Sequence, residues 1–158
     1  MKNVFKGNYS LNKAILHCSV DILSRREHSY QELMQKLKLR EYSEDEITPV
    51  VEYLIEKNYL SEQRFSECLF GSRLNKGYGW LYISNELAQK GVCDSIIVEL
   101  NKNQQIDWYL QAELAYNKRF GASTIKDQKD KIKRIRFMQY RGFSPDEIMP
   151  LIKDTRND

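Results

Sequence analysis

The stretch that decides the fold is REYSEDEITP at residues 40–49, because it returns almost letter for letter as RGFSPDEIMP at 141–150. Ser43 with Glu46, and Ser144 with Glu147, have the spacing of a capping box, in which a hydroxyl and a carboxylate satisfy the unpaired N–H groups of a helix start. Tyr42 stands five residues ahead of Ile47, and Phe143 five ahead of Ile148, the spacing of a hydrophobic staple. Each copy therefore reads as a corner that begins a helix. A weaker copy, KGVCDSIIVE at 90–99, keeps the staple as Val92 and Ile97 but has lost the box. The staple aromatics and Val92 fall at 42, 92 and 143, so the corner recurs about every fifty residues, the mark of an internal repeat.

Working outward, a chain of 158 residues holds three such units, each too small to stand without its neighbours. We place them at 1–58, which includes an N-terminal extension, at 59–105 and at 106–158. Hydrophobic residues make up 41% and charged residues 30%, which is globular, and 7 Gly with 3 Pro leave little room for long loops. Helical spacing appears at Leu11, Ala14, Ile15, Cys18 and Ile22. It continues after the Ser29/Glu32 box and through Val50, Val51, Leu54 and Ile55. Ser61 caps a helix with Phe65 and Leu69 on one face. KGYG at 76–79 then breaks the chain, and WLYISNELAQK follows with Leu81, Ile83, Leu87 and Ala88 inward. Asp107 caps WYLQAELAYNKRF, and a long basic helix is expected from Ile125 to Arg141. Pro49 and Pro150 are each expected to bend the third helix of their unit. No strand-like alternation of useful length occurs, so the prediction is an all-α array of three tandem three-helix repeats, elongated and curved.

No apolar run approaches the length of a membrane span and the N-terminus lacks a signal-peptide core, which predicts a cytosolic protein. Cys18, Cys68 and Cys93 lie far apart with no CxxC pair, and read as small buried or half-buried thiols rather than as disulfides or a zinc site. No nucleophile elbow, Walker loop or HExxH is present, so neither an enzyme nor a cofactor is expected. The two glycines of KGYG suit a turn between helices better than a phosphate cradle.

The net charge of +3 is unevenly spread. Between 118 and 141 there are 9 Lys or Arg against 2 Asp, and that segment is where an anionic partner is expected. Lys129, Lys133 and Arg136 share one helical stripe, with Lys126, Lys131 and Arg134 beside it and Ile125, Ile132, Ile135 and Met138 turned inward. A second basic group comprises Arg25, Arg26, Arg64, Arg73 and Lys76. In it Arg64 suits local pairing with Glu62 or Glu67.

The run YLSEQRF…SRLNKGYGWLYISNELAQKGV resembles the most recognisable stretch of the RecX regulators of the bacterial RecA recombinase, through Glu62, Arg64, Phe65, Gly77, Gly79, Ile83, Glu86, Leu87, Lys90 and Gly91. LSRREHSYQELMQKLKLR is similar to the family's first unit through Arg25, Arg26, Ser29, Glu32, Leu33, Lys36 and Leu37. Glu62 stands where the family usually has Asp, and Trp80 where Pro is common. With Tyr78 and Tyr82 beside it, Trp80 either fills a gap between modules or is displayed to a partner, and packing is the better fit for aromatics at helical spacing. The resemblance implies a protein that lies in the groove of the RecA–DNA filament and inhibits the ATPase, strand-exchange and co-protease activities of RecA, so damping recombination and the SOS response; a monomer is expected. Weak direct DNA binding through the basic third repeat is a further expectation. The alternative is a helical DNA-binding protein acting as a repressor or architectural factor. A long Lys-bearing helix suits phosphate contact better than base readout.

Overall fold

Most of the helices begin where a side chain closes the first turn. The computed structural model describes residues 10–153, and the outer parts of the N-terminal extension and of the last repeat lie outside them. Nine α-helices and no strand occur among the described residues. The first three are α1 (Lys13–Arg25), α2 (Tyr30–Lys38) and α3 (Glu44–Glu56). The Asn12 side chain accepts from the N–H groups of Ala14 and Ile15, and Ser29/Glu32 and Ser43/Glu46 form complete capping boxes. Then come α4 (Glu62–Asn75), α5 (Trp80–Gln89), α6 (Asp94–Gln104), α7 (Trp108–Phe120), α8 (Gln128–Tyr140) and α9 (Pro145–Ile148). The Ser144/Glu147 box is also complete. At Cys93 no side chain caps α6, while Val92 and Ile97 are buried as a staple requires.

The repeated corner has a second half that precedes the cap. Glu41, Gly91 and Gly142, at the same offset in the three copies, all have positive φ, at 67°, 82° and 92°. After α5 the N–H of Val92 donates to the Leu87 carbonyl and that of Gly91 to Ala88. After α8, Phe143 donates to Met138 and Gly142 to Gln139. These are the paired bonds of a Schellman helix end, which needs a left-handed residue and therefore favours glycine. The corner is thus a helix stop followed at once by a helix start.

The chain separates into two compact units, and the division falls within α4, the first unit ending at Phe65 and the second beginning at Ser66. In the first, Ile15 and Ile22 of α1, Leu33, Met34 and Leu37 of α2, Ile47, Val50, Val51 and Leu54 of α3, and Leu60 form one buried cluster. In the second, Ala112, Tyr116, Met138, Phe143, Ile148 and Ile152 cluster together, and Phe70, Ile83, Leu87, Val92, Ile97 and Leu100 are also buried.

Several local expectations are corrected. Pro49 does lie inside α3, but α9 ends at Ile148 and Pro150 sits in a 3₁₀ turn over Met149–Ile152, so it bends no helix. The basic helix starts at Gln128 rather than Ile125, because the Asp127 carboxylate caps it by accepting from the Asp130 N–H at 2.8 Å. In α4 it is Phe70, not Leu69, that is fully buried, and Leu81 and Ala88 of α5 are exposed. Ala14 and Ile55 are exposed as well. Only Cys18 is half-buried, while Cys68 and Cys93 reach the surface.

Candidate functional site

The basic residues divide into those consumed by the fold and those left over. In the first unit Arg26 forks onto Glu32 at 3.0 and 3.3 Å and also donates to the Glu27 carbonyl. Glu32 in turn closes the capping box of α2, so this pair holds a helix start. Arg64 donates to Glu27 at 2.9 Å, and to the side chain and carbonyl of Asn58 at 2.9 and 2.8 Å. These bonds lie within the fold, on Glu27 and Asn58. Those bonds clamp the left-handed Asn58 at the end of α3. Arg25 makes only an exposed pair with Asp21 on its own helix, worth little in water.

In the second unit Arg73 and Glu86 form a bidentate pair with both bonds at 2.7 Å, and the carboxylate holds the guanidinium above its ordinary pKa. Arg134, expected beside the exposed stripe, is instead buried. It is 3% exposed, and donates to the Tyr116 hydroxyl, to the carbonyls of Ser123 and Thr124, to the Ser123 hydroxyl and to Asp130. Its guanidinium also lies 4.9 Å from the Phe120 ring centre. Five donors in a fixed fork meet five acceptors, which is why an arginine is tolerated in a core. Asp130 is held below its ordinary pKa, first by the Arg134 bonds and then by the Lys126 N–H. Ile132, expected inward, is exposed.

What remains on α8 is an uncompensated row. Lys129, Lys133 and Arg136 are exposed, as is Lys126 just before the helix, and none of the four enters an ion pair among the described residues. Arg119, Lys126, Lys129 and Lys133 line an open hollow of about 450 Å³ together with Phe120, Ser123 and Arg134 and with the acids Asp127 and Asp130. Arg119 was not singled out from sequence; its place in the basic segment was the available signal. Unpaired lysines around an open hollow suit an anionic surface, and phosphate groups fit that chemistry.

The KGYG turn is fully spoken for. The Gly79 N–H donates to the Arg141 carbonyl at 2.7 Å and the Leu81 N–H to the Gly142 carbonyl at 3.0 Å. The start of α5, which has no side-chain cap, is thus capped by the end of α8. These N–H groups are not available to a phosphate. The Lys76 carbonyl accepts from Arg141 at 3.0 Å, while its side chain is exposed. Trp80 packs, with its ring 6.2 Å from Phe70 and 6.1 Å from Trp108.

Among the described residues no helix is long and apolar enough to cross a membrane, and no group of three or more His, Cys, Asp or Glu side chains is placed to hold a metal. Three family models match in order along the chain: the first three-helix domain of RecX over residues 16–54, the second over 61–99 and the third over 107–152. The Regulatory protein RecX of Halorhodospira halophila is 36% identical over 137 residues, covering 87% of this chain and 85% of that protein. That of Acinetobacter baylyi is 40% identical over 131 residues, covering 83% and 81%. Among solved structures, the crystal structure of RecX from Lactobacillus salivarius superposes with a TM-score of 0.72 at 19% identity, covering 88% of this chain and 92% of that one, and so shares the fold.

Proposed function

This chain belongs to the RecX family, a family of regulatory proteins rather than enzymes, and from that membership we propose that it binds RecA and the RecA–DNA filament. The outcome is loss of RecA ATPase, strand-exchange and co-protease activity, and hence negative modulation of recombination and of the SOS response. We place the protein in the cytoplasm, acting as a monomer, with repeats at 1–58, 59–105 and 106–158. The observation that carries the contact is the unpaired row Lys129, Lys133 and Arg136 with Lys126 beside it. A fixed helix that presents like charges without internal counter-ions is matched by a phosphate backbone or an acidic protein face. Such contacts give position along a polymer rather than sequence readout.

The test is the DNA-dependent ATP hydrolysis of RecA, measured with this chain well below one copy per RecA. The wild type is expected to suppress the rate. The triple reversal Lys129→Glu, Lys133→Glu, Arg136→Glu is expected to lose that suppression while keeping its helical circular dichroism. Full suppression by the reversed variant removes α8 from the contact, and no suppression by the wild type at equimolar protein and low salt removes RecA as the target.

A further inference from the structure

Beyond the hollow, the basic row of α8 runs into a group of aromatic rings. Lys129, Lys133, Arg136 and Tyr140 follow at i, i+4, i+7 and i+11, which keeps them on one side of the helix. Tyr140 is 76% exposed, a large ring displayed at the end of a cationic row. Next to it the rings of Tyr78 and Tyr82 stack with centres 4.1 Å apart and planes 27° from parallel. The Arg141 guanidinium lies 4.7 Å from the centre of Tyr78 and 5.3 Å from that of Phe137. A Cβ added at Gly142 would lie 2.4 Å from the Cβ and from the backbone nitrogen of Tyr82, so the end of α8 that carries Tyr140 abuts the start of α5 that carries Tyr82. Glu86 is already neutralised by Arg73, so the uncompensated charge beside these rings is positive, from Arg136, Arg141 and Lys76.

We propose that Tyr140, with the Tyr78–Tyr82–Arg141 stack beside it, is a base-stacking platform for single-stranded nucleic acid, whose phosphates follow the Lys129–Lys133–Arg136 row. The inference rests on the reading of that row as a phosphate-contacting face and adds what the ligand must be. A cationic track beside exposed aromatic rings is the chemistry that holds a single strand, since every unpaired base offers a π-face and stacking tolerates any sequence. A duplex hides those faces, so it would use the lysines and leave the rings idle. The Tyr78–Tyr82 pair and Arg141 are held by the docked turn between α4 and α5, which keeps the rings in place before any ligand arrives.

The test is fluorescence anisotropy of the whole chain, without RecA, against three labelled probes of about twenty nucleotides, long enough for one binding site. These are an oligothymidylate, an abasic strand of the same length and a duplex. The wild type is expected to bind the oligothymidylate about tenfold more tightly than the abasic strand. Tyr140→Ala is expected to remove most of that preference, and Tyr140→Phe to retain it, since the ring and not the hydroxyl stacks. Equal affinity for the thymidylate and abasic strands overturns the platform while leaving the phosphate row standing. An unchanged thymidylate affinity in Tyr140→Ala, together with weakened RecA suppression, overturns it in favour of a protein contact at the same rings. Absence of binding to every probe overturns the inference too, and the ATPase assay then decides separately whether RecA is the target.

Discussion

Substituting Gly79 and Gly71 by alanine should move stability in opposite directions, and the difference follows from what a methyl group meets at each site. At Gly79 an added Cβ lies 2.4 Å from the Gly142 carbonyl oxygen, 2.6 Å from its carbon and 2.8 Å from Cδ1 of Phe143. Two of those three atoms are backbone, so they cannot swing aside. Room for the methyl comes only by parting α5 from the corner after α8, which breaks the bonds from the Gly79 and Leu81 N–H groups. Each buried donor left without a partner costs about 1–3 kcal/mol, and uncovering Phe143, now 1% exposed, forfeits part of the roughly 1.5–3 kcal/mol that a buried ring of that size contributes. We expect Gly79→Ala to lose about 3–5 kcal/mol. At Gly71, inside α4, nothing lies within 4 Å of an added Cβ, and Gly71→Ala should gain about 0.5–1 kcal/mol from helix propensity. Both tryptophans, Trp80 and Trp108, belong to the second unit, so urea unfolding followed by their fluorescence reports on that unit. With a urea slope of about 2 kcal/mol per molar, the midpoint of Gly79→Ala should fall by roughly 2 M and that of Gly71→Ala should rise by a few tenths. Midpoints that shift in the same direction, or a Gly79→Ala midpoint within about 0.5 M of wild type, would refute the close approach of these two backbones.

Glu41 occupies with a side chain the left-handed position that Gly91 and Gly142 fill in the other corners, so Glu41→Gly should raise stability by about 0.5–1 kcal/mol; a loss in thermal melting would mean the Glu41 side chain holds something. Ser144→Ala removes the hydroxyl that accepts from the Glu147 N–H and should cost about 1 kcal/mol, with a change near zero in urea titration showing that the box contributes nothing. His28 is buried, with Nδ1 2.9 Å from the Arg26 carbonyl and Nε2 2.9 Å from Lys36 Nζ, which fixes the neutral ring with Nδ1–H donating and Nε2 accepting. Burial, and then the charges of Arg26 and Lys36, hold its pKa below 6.5 against the Arg26 carbonyl and Glu32. The unfolded chain therefore binds the proton first: stability is fully present above about pH 6.5 and declines as pH falls from there to the folded pKa, by at most about 1.4 kcal/mol per pH unit. His28→Gln should flatten that part of the pH–melting curve, and an unchanged slope would exclude His28 as its source.

The corners were legible because side chains write them. A Ser and a Glu three apart, an aromatic before and an Ile after, specify a helix start with no reference to the rest of the molecule, and the boxes at Ser29, Ser43 and Ser144 all form. The docking of Gly79 onto Gly142 was not legible, because two glycines meet through backbone atoms and carry no side-chain pattern linking positions so far apart in sequence. Periodicity also misplaced the faces of α8. A period-3.6 pattern assigns Arg outward and Ile inward, and here Arg134 is buried while Ile132 is exposed. The acceptors that reverse the order come from the irregular segment after α7, at Ser123 and Thr124, where no periodic signal exists.

That reversal points to how the chain divides its cations. Arg26, Arg64, Arg73, Arg134 and Arg141 each hold two parts of the fold together, by forked bonds to carboxylates or by donating to carbonyls. The guanidinium suits this work because its planar fork satisfies several acceptors at once and loses little water on burial. Lys126, Lys129 and Lys133 do none of it. An ammonium on a flexible stem is strongly hydrated, and its natural partner is a diffuse anionic surface met from solvent. Counted only as charges, the ten basic candidates read from sequence look alike. Once paired Arg26, Arg64, Arg73 and Arg134 are set aside, what is left in the third repeat is the Lys126, Lys129, Lys133 and Arg136 row, so charge reversal there tests contact with the partner without unpicking the fold. Reversing Arg134 instead would place a carboxylate beside Asp130 and four further acceptors, and any loss of RecA suppression would then report unfolding rather than binding.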